Sequence, residues 1–228
     1  MYTVVVSRYD KNVSFVRKFK NATIMIYDKE NPRNPLNIPV NKGNEASVYL
    51  KYIIDYYDNL PDFTFFIHDE EYSWHHSGSV IDKYNEAIKS KKLYYNINDK
   101  NKWDTRNSIT KEHGKEVYND FMTWYKKYFK AYIPIFLIPS DFIYGYNGSA
   151  QFLVHKNRIR NLPKEFYENL YNWIITTDLT NDISGRYLEW TWHVMWSIYP
   201  ALQLYLKYFI YLIFIITIWQ LLKKDARK

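Results

Sequence analysis

No cysteine occurs in the 228 residues, which removes disulfide scaffolds, thiolate nucleophiles and every zinc site that needs sulfur. Any metal would have to rest on oxygen or imidazole. Glycine is scarce, with six in the chain. None falls in a G-x-x-x-x-G-K-[ST] or G-x-G-x-x-G string, so the backbone cradles of P-loop and Rossmann dehydrogenase sites are missing. Basic runs are absent from the body of the chain. The net charge of +7 gathers at one end, where Lys223, Lys224, Arg227 and Lys228 follow the last apolar stretch and Lys207 lies near its start. With these and Asp225 set aside the remainder is only about +3. That balance, with no aromatic RNA-binding signature, argues against a nucleic-acid partner.

What is abundant is buryable surface: 47% hydrophobic and 20% aromatic residues, with 24 tyrosines, far above the composition of disordered chains. The length suits one substantial core with a short appendage. We expect a domain over residues 1–200, an apolar helix over 204–222 and a basic tail over 223–228. From Leu204 to Leu222 only Lys207 and Gln220 interrupt the apolar run, and a helix of that length spans about 28 Å, close to the hydrocarbon thickness of a bilayer. It reads as a single-pass C-terminal membrane anchor. A buried core helix is the alternative. Orientation stays open, because the basic tail favours a cytosolic C-terminus whereas Met1 to Val6, followed by Ser7, Arg8 and Asp10, reads as a strand and not a signal peptide. The lysine- and asparagine-rich bias without cysteine fits A+T-rich coding, as in a large DNA virus.

Short β-rich runs at 4–6, 23–27, 63–67, 133–138 and 151–155 predict buried strands. Helical spacing recurs between them. Ala46, Tyr49, Leu50, Ile53, Ile54 and Tyr57 fall on one helix with Asn44 placed as its cap. Others run through Val117 to Phe129, Phe166 to Ile174, and Leu188 to Tyr199. Strands alternating with helices predict an α/β domain with a largely parallel sheet covered on both faces. The polar stretch 96–114 reads as a long loop.

Three clusters could carry chemistry. The apolar run Phe63 to Ile67 delivers His68, Asp69, Glu70 and Glu71 at its carboxyl end, with Trp74, His75 and His76 close behind, and open α/β sheets bind ligands at that end. Asp69 and Glu71, at i and i+2, could hold Mg2+ or Mn2+ against a diphosphate. A solvated turn is the bland reading. Asn41, Lys42, Gly43 and Glu45 lie at the mouth of the first helix, where N–H groups attract phosphate; an ordinary cap is the alternative. Glu189 and His193, four apart, would share a helix face and could supply a base and a metal ligand. A surface hydrogen bond would explain the same spacing. Arg8, Tyr9 and Asp10 follow the first strand, where a nucleotide could lie.

The strings Val5-Val6-Ser7-Arg8-Tyr9-Asp10, Asn41-Lys42-Gly43-Asn44-Glu45, Phe66-Ile67-His68-Asp69, Gln151-Phe152-Leu153-Val154 with Arg158-Ile159, and Glu189-Trp190-Thr191-Trp192-His193 resemble the DUF3431 family over roughly residues 2–200. That family in turn resembles GT-A glycosyltransferases, with a Rossmann-like, mostly parallel sheet. The resemblance implies a transferase that uses a nucleoside-diphosphate sugar and an unidentified glycan or protein acceptor. It implies a metal set of Asp69, Glu71 and His193, although the string is Asp-Glu-Glu and not Asp-x-Asp. It also implies Glu189 as catalytic base, and Arg8, Tyr9, Asp10, Asn41, Lys42, Gly43 and Glu45 around the donor. Two other readings stay open: a non-catalytic binding module, and a metal-dependent hydrolase built on His68, His75, His76 and Asp69.

Overall fold

The computed structural model describes residues 1–99, 106–133 and 150–196, together with Phe209, Ile213, Ile215, Ile216, Ile218 and Trp219. Strand β1 (Tyr2–Arg8) carries Val4, Val5 and Val6, all fully buried, and branching at Cβ suits such residues to a pleated backbone. Strands β2 (Ala22–Asp28) and β3 (Phe63–His68) flank it in parallel, with Val5 opposite both Met25 and Phe66. Parallel neighbours need a crossover. A 3-10 turn (Ser14–Lys18) lies between β1 and β2, and helix α1 (Ala46–Tyr56) between β2 and β3.

The sheet continues in the opposite sense. Strand β5 (Phe152–His155) pairs antiparallel with β3, and β4 (Tyr94–Asn96) antiparallel with β5, giving the order β2-β1-β3-β5-β4. The expectation of a largely parallel sheet therefore holds for only half of its pairings. Strand direction is set by where the chain returns after an excursion, and no local pattern encodes that.

Helix α2 (Val80–Lys89) was not expected from the sequence. The Ser79 hydroxyl accepts the Ile81 N–H at 3.1 Å, and Val80, Tyr84 and Ala87 are buried at i, i+4 and i+7. That cap and that spacing were the legible signal. The stretch read as a loop over 96–114 contains β4's last residue and helix α3 (Arg106–His113), which leads through Gly114 into α4 (Lys115–Phe129). Of the strand expected at 133–138, all but Ile133 lies outside the described residues. After β5 come α5 (Lys156–Arg160), α6 (Lys164–Thr176), α7 (Asn181–Glu189) and α8 (Trp192–Met195).

Two cores result, one on each face. Val5, Phe66 and Phe152 meet α1, α4, α6, α7 and α8 on the larger, while Val4, Val6, Phe65 and Leu153 meet the 3-10 turn and α2 on the smaller. Aromatic rings fill the larger core: Trp192 stacks on Trp196 at 5.1 Å, and Trp196 lies 4.5 Å from Phe152. This is where the unusual aromatic content goes.

Most of the apolar segment 204–222 lies outside the described residues. Among the described residues no helix is long and apolar enough to cross a membrane. Phe209, Ile213, Ile215, Ile216, Ile218 and Trp219 are helical and exposed by 40–61%.

Candidate active site

From β1 the chain moves outward to β2, then crosses back through α1 to β3 on the other side. Strand order thus reverses between β1 and β3, and the crevice outside their carboxyl ends is where open α/β sheets bind ligands. Tyr9 and Asp69, the first residues past these strands, close it: the Tyr9 N–H donates to Asp69 Oδ2 at 2.8 Å. Lys29, the first residue past β2, donates from Nζ to the Asn44 carbonyl at 3.2 Å and lies 5.5 Å above the Tyr9 ring. Burial lowers the Lys29 ammonium, and Glu45 and Asp69 hold it up in part.

Glu45 sits immediately before α1 and His68 is the last residue of β3. His68 Nε2 and Glu45 Oε2 are 3.5 Å apart, with the side chains 19% and 8% exposed. Burial by itself would lower the imidazole, but Glu45, with Glu189 and Asp69 beyond it, raises it above its ordinary value. Burial likewise works to raise Glu45, and the His68 contact outweighs it, leaving the carboxyl depressed. Glu189, the last residue of α7, faces this pair. Its burial, then repulsion from Glu45, pushes it up to about 7, against the pull of Arg186 and His68. Glu189 and His68 are both half-buried. With Glu45 they make up what we term the floor of the crevice beyond the β1 and β3 carboxyl ends.

Among the described residues, three buried polar atoms around this floor make no hydrogen bond: Ser7 Oγ, Glu45 Oε1 and Tyr49 Oη. Ser7 lies opposite His68 in the β1–β3 register. Tyr49 is one turn beyond Glu45, and burial together with Glu45, Glu189 and Asp69 raises its phenol far above the usual range. Unpartnered buried polar groups are uncommon and costly. Donors and acceptors mixed in this way fit a ligand rich in hydroxyls.

The metal set expected from sequence is not brought together. Glu71 turns to the other face, where its carboxylate takes Lys18 at 2.7 Å and the Ser79 hydroxyl at 2.9 Å, while its carbonyl accepts the Val80 N–H. It ties α2 to the loop. Asp69 is held by Tyr9, so the i and i+2 carboxylates diverge. His193 does not share a helix face with Glu189, because α7 ends at Glu189 and His193 belongs to α8. Among the described residues no group of three His, Asp or Glu side chains is placed to hold a metal. The imidazole-rich hydrolase site fails the same test. The His75 ring meets His68 edge-on at 5.1 Å, and His76 is buried with its pKa lowered by desolvation. Glu70 is half-buried beside Asp69, and among the described residues no contact draws it to the floor.

At the proposed donor side, Arg8 is engaged by Asp28 at 2.6 Å and Glu30 at 3.4 Å. Arg8, Asp10, Lys11 and Arg17 line a depression of about 630 Å³ on the α2 face, within the range of small-molecule sites. Asn41 and Lys42 are half-buried before α1. Asn44 does not cap this helix: its φ is 52° and Glu45 occupies the cap position without a side-chain bond. Gly43, at φ 65°, serves packing, since a Cβ there would lie 2.1 Å from Ile174 Cδ1 of α6. Sequence reasoning missed Ser7, Lys29 and Tyr49. Lys29 could have been found as a strand-end residue, and Tyr49 as the helical i+4 neighbour of Glu45.

The model of the family described as "Protein of unknown function (DUF3431)" matches residues 3–203. The chain belongs to this family. The match spans both cores and the whole cleft floor, from Ser7 to Glu189. No curated protein and no solved structure is similar enough to match.

Proposed function

We propose that this DUF3431 chain is a GT-A-like glycosyltransferase that moves a sugar from a nucleoside diphosphate to an acceptor hydroxyl. The observation that carries the reading is Glu189, a carboxyl with a pKa of about 7 beside the His68–Glu45 pair at the point where strand order reverses. A general base is most effective when its pKa lies near the working pH. Glu189 would take the proton of the acceptor hydroxyl as its oxygen bonds to the sugar anomeric carbon. The bond from that carbon to the phosphate oxygen breaks, and the diphosphate leaves with the electron pair. Positive charge facing that group would come from Lys29, with Lys42 before α1. The residues do not fit the Mg2+ or Mn2+ set of Asp69, Glu71 and His193, so no step is routed through a cation.

Calorimetry with UDP and GDP, with and without manganese, tests the donor half. One nucleotide should bind without added metal, and Lys29→Met should weaken it about tenfold. Glu189→Gln should retain nucleotide binding and lose roughly 10²- to 10⁴-fold in transfer or donor hydrolysis. Absence of nucleotide binding under every condition would sink the transferase reading and leave a binding module.

We also propose that residues 204–222 anchor the domain to a membrane. In support, the six described side chains of this segment are exposed and apolar and, at helical spacing, spread over more than half of the circumference.

A further inference from the structure

We propose that Trp74 and Tyr72 form an aromatic platform that stacks against a sugar ring of the acceptor glycan. The inference rests on the transferase reading for the word acceptor, but its structural basis is separate. Tyr72 and Trp74 are 67% and 69% exposed, an unusual placement for two large rings on adjacent alternate residues of one loop. Exposed apolar surface of this kind marks contact sites.

The loop is pinned on both sides. Ser73 Oγ accepts the His75 N–H and the Gln151 amide, each at 3.3 Å, and Gln151 Oε1 accepts the His68 N–H at 3.2 Å. Beyond it, the Asp99 N–H donates to the His75 carbonyl at 3.2 Å, and the Ser77 N–H donates to Asp99 Oδ2 at 2.8 Å. Before it, Glu71 is fixed by Lys18 and Ser79. The Trp74 indole lies on the His75 ring at 3.9 Å and 29°. His75 is buried and meets His68 edge-on. A continuous run of rings therefore leads from the open indole to the floor, no more than about 9 Å between the Trp74 and His68 centroids.

Residues 69–76 hold three acids and no lysine or arginine, so this loop suits a neutral ring, whereas the diphosphate of the donor would lie toward Lys29. The Ser7 and Tyr49 hydroxyls and Glu45 Oε1, without partners among the described residues, supply both donors and acceptors. A flat apolar surface beside mixed hydrogen-bonding groups matches a pyranose, which has an apolar C–H face and a rim of hydroxyls. A second sugar along the same chain would reach from the platform towards the floor, so oligosaccharides should bind more tightly than single sugars.

The test titrates the full chain with maltotriose, cellotriose, chitotriose and mannotriose, and with their monosaccharides. At least one trisaccharide should bind, and more tightly than its monosaccharide. Trp74→Ala should weaken it about tenfold or more, the scale of one lost stacking contact, and Tyr72→Ala should weaken it less. Trp74→Phe should keep most of the affinity. Loss of the stack on His75 should lower the melting temperature of Trp74→Ala by a few degrees at most, and UDP or GDP affinity should stay within about twofold. Unchanged binding in Trp74→Ala, no binding of any trisaccharide, or displacement of the sugar by free uridine or guanosine would overturn the proposal. Trisaccharide binding that depends on Trp74, in a chain that binds no nucleotide, would uphold the platform and remove the transferase.

Discussion

Three side chains set the behaviour of the floor, and each titrates differently. Because Glu189 is raised from its ordinary 4.5 to about 7, the folded chain binds more protons than the unfolded chain between those values. Stability contributed by this group therefore falls as pH rises through that window. Glu189→Gln should relieve the cost, stabilising the fold at pH 8 by roughly 1–3 kcal/mol in urea unfolding, with little gain at pH 4. Activity should show an acidic limb centred near 7, and that limb should vanish in Glu189→Gln. His68 acts in the same sense over a higher range: its raised pKa gives stability that is full below its ordinary value and is lost as pH rises through the raised one. The depressed Glu45 contributes above 4.5 and loses that contribution as pH falls. Replacing His68 by Gln would leave Glu45 buried without its cation, at a cost of about 3 kcal/mol at pH 6, measurable in the same denaturation series. Sequence showed that Glu45, His68 and Glu189 stood near candidate positions. It assigned Glu45 to the donor and Glu71 to the metal, because a string of acids does not reveal which carboxylate turns toward which face.

Between elements, the decisive contact is the seat of α7 on the turn before α1. A Cβ on Gly185 would come within 3.2 Å of the Gly43 carbonyl and Asn44 Nδ2, so the helix approaches this turn as closely as a bare Cα allows. One turn later the same helix ends in Glu189. Seating Gly185 is thus what brings the late acid to Glu45, and Gly185→Ala should alter the pH profile and turnover more than nucleotide affinity. Gly43→Ala is harsher, combining a φ of 65° with a clash against Ile174. Loss of several kcal/mol is expected, within the upper range for a backbone and packing defect, and thermal melting would register it. Helices α1, α4 and α6 were legible from the spacing of their apolar residues. Helix α2 was overlooked although Ser79 caps it, because the histidines and acids before it drew the chemical reading. The expected four-residue pairing of Glu189 with His193 assumed one continuous helix, and the break at Trp190 and Thr191 removed it.

For the whole molecule, the matched family region, residues 3–203, stops where the apolar segment begins. A chain truncated after residue 203 should keep its cooperative melt and its nucleotide affinity and should no longer sediment with liposomes. Aggregation with loss of that melt would instead make the segment part of the core. The sequence by itself determined the class of the domain, its aromatic core and the strand ends where polar residues gather, because periodicity and composition are local properties that any packing must respect. Only the tertiary structure decided that β4 and β5 run against β3, that Glu71 serves α2, and that Glu189 travels across the sheet to His68. Those outcomes depend on where distant segments meet, and burial at that meeting sets the charge each group carries.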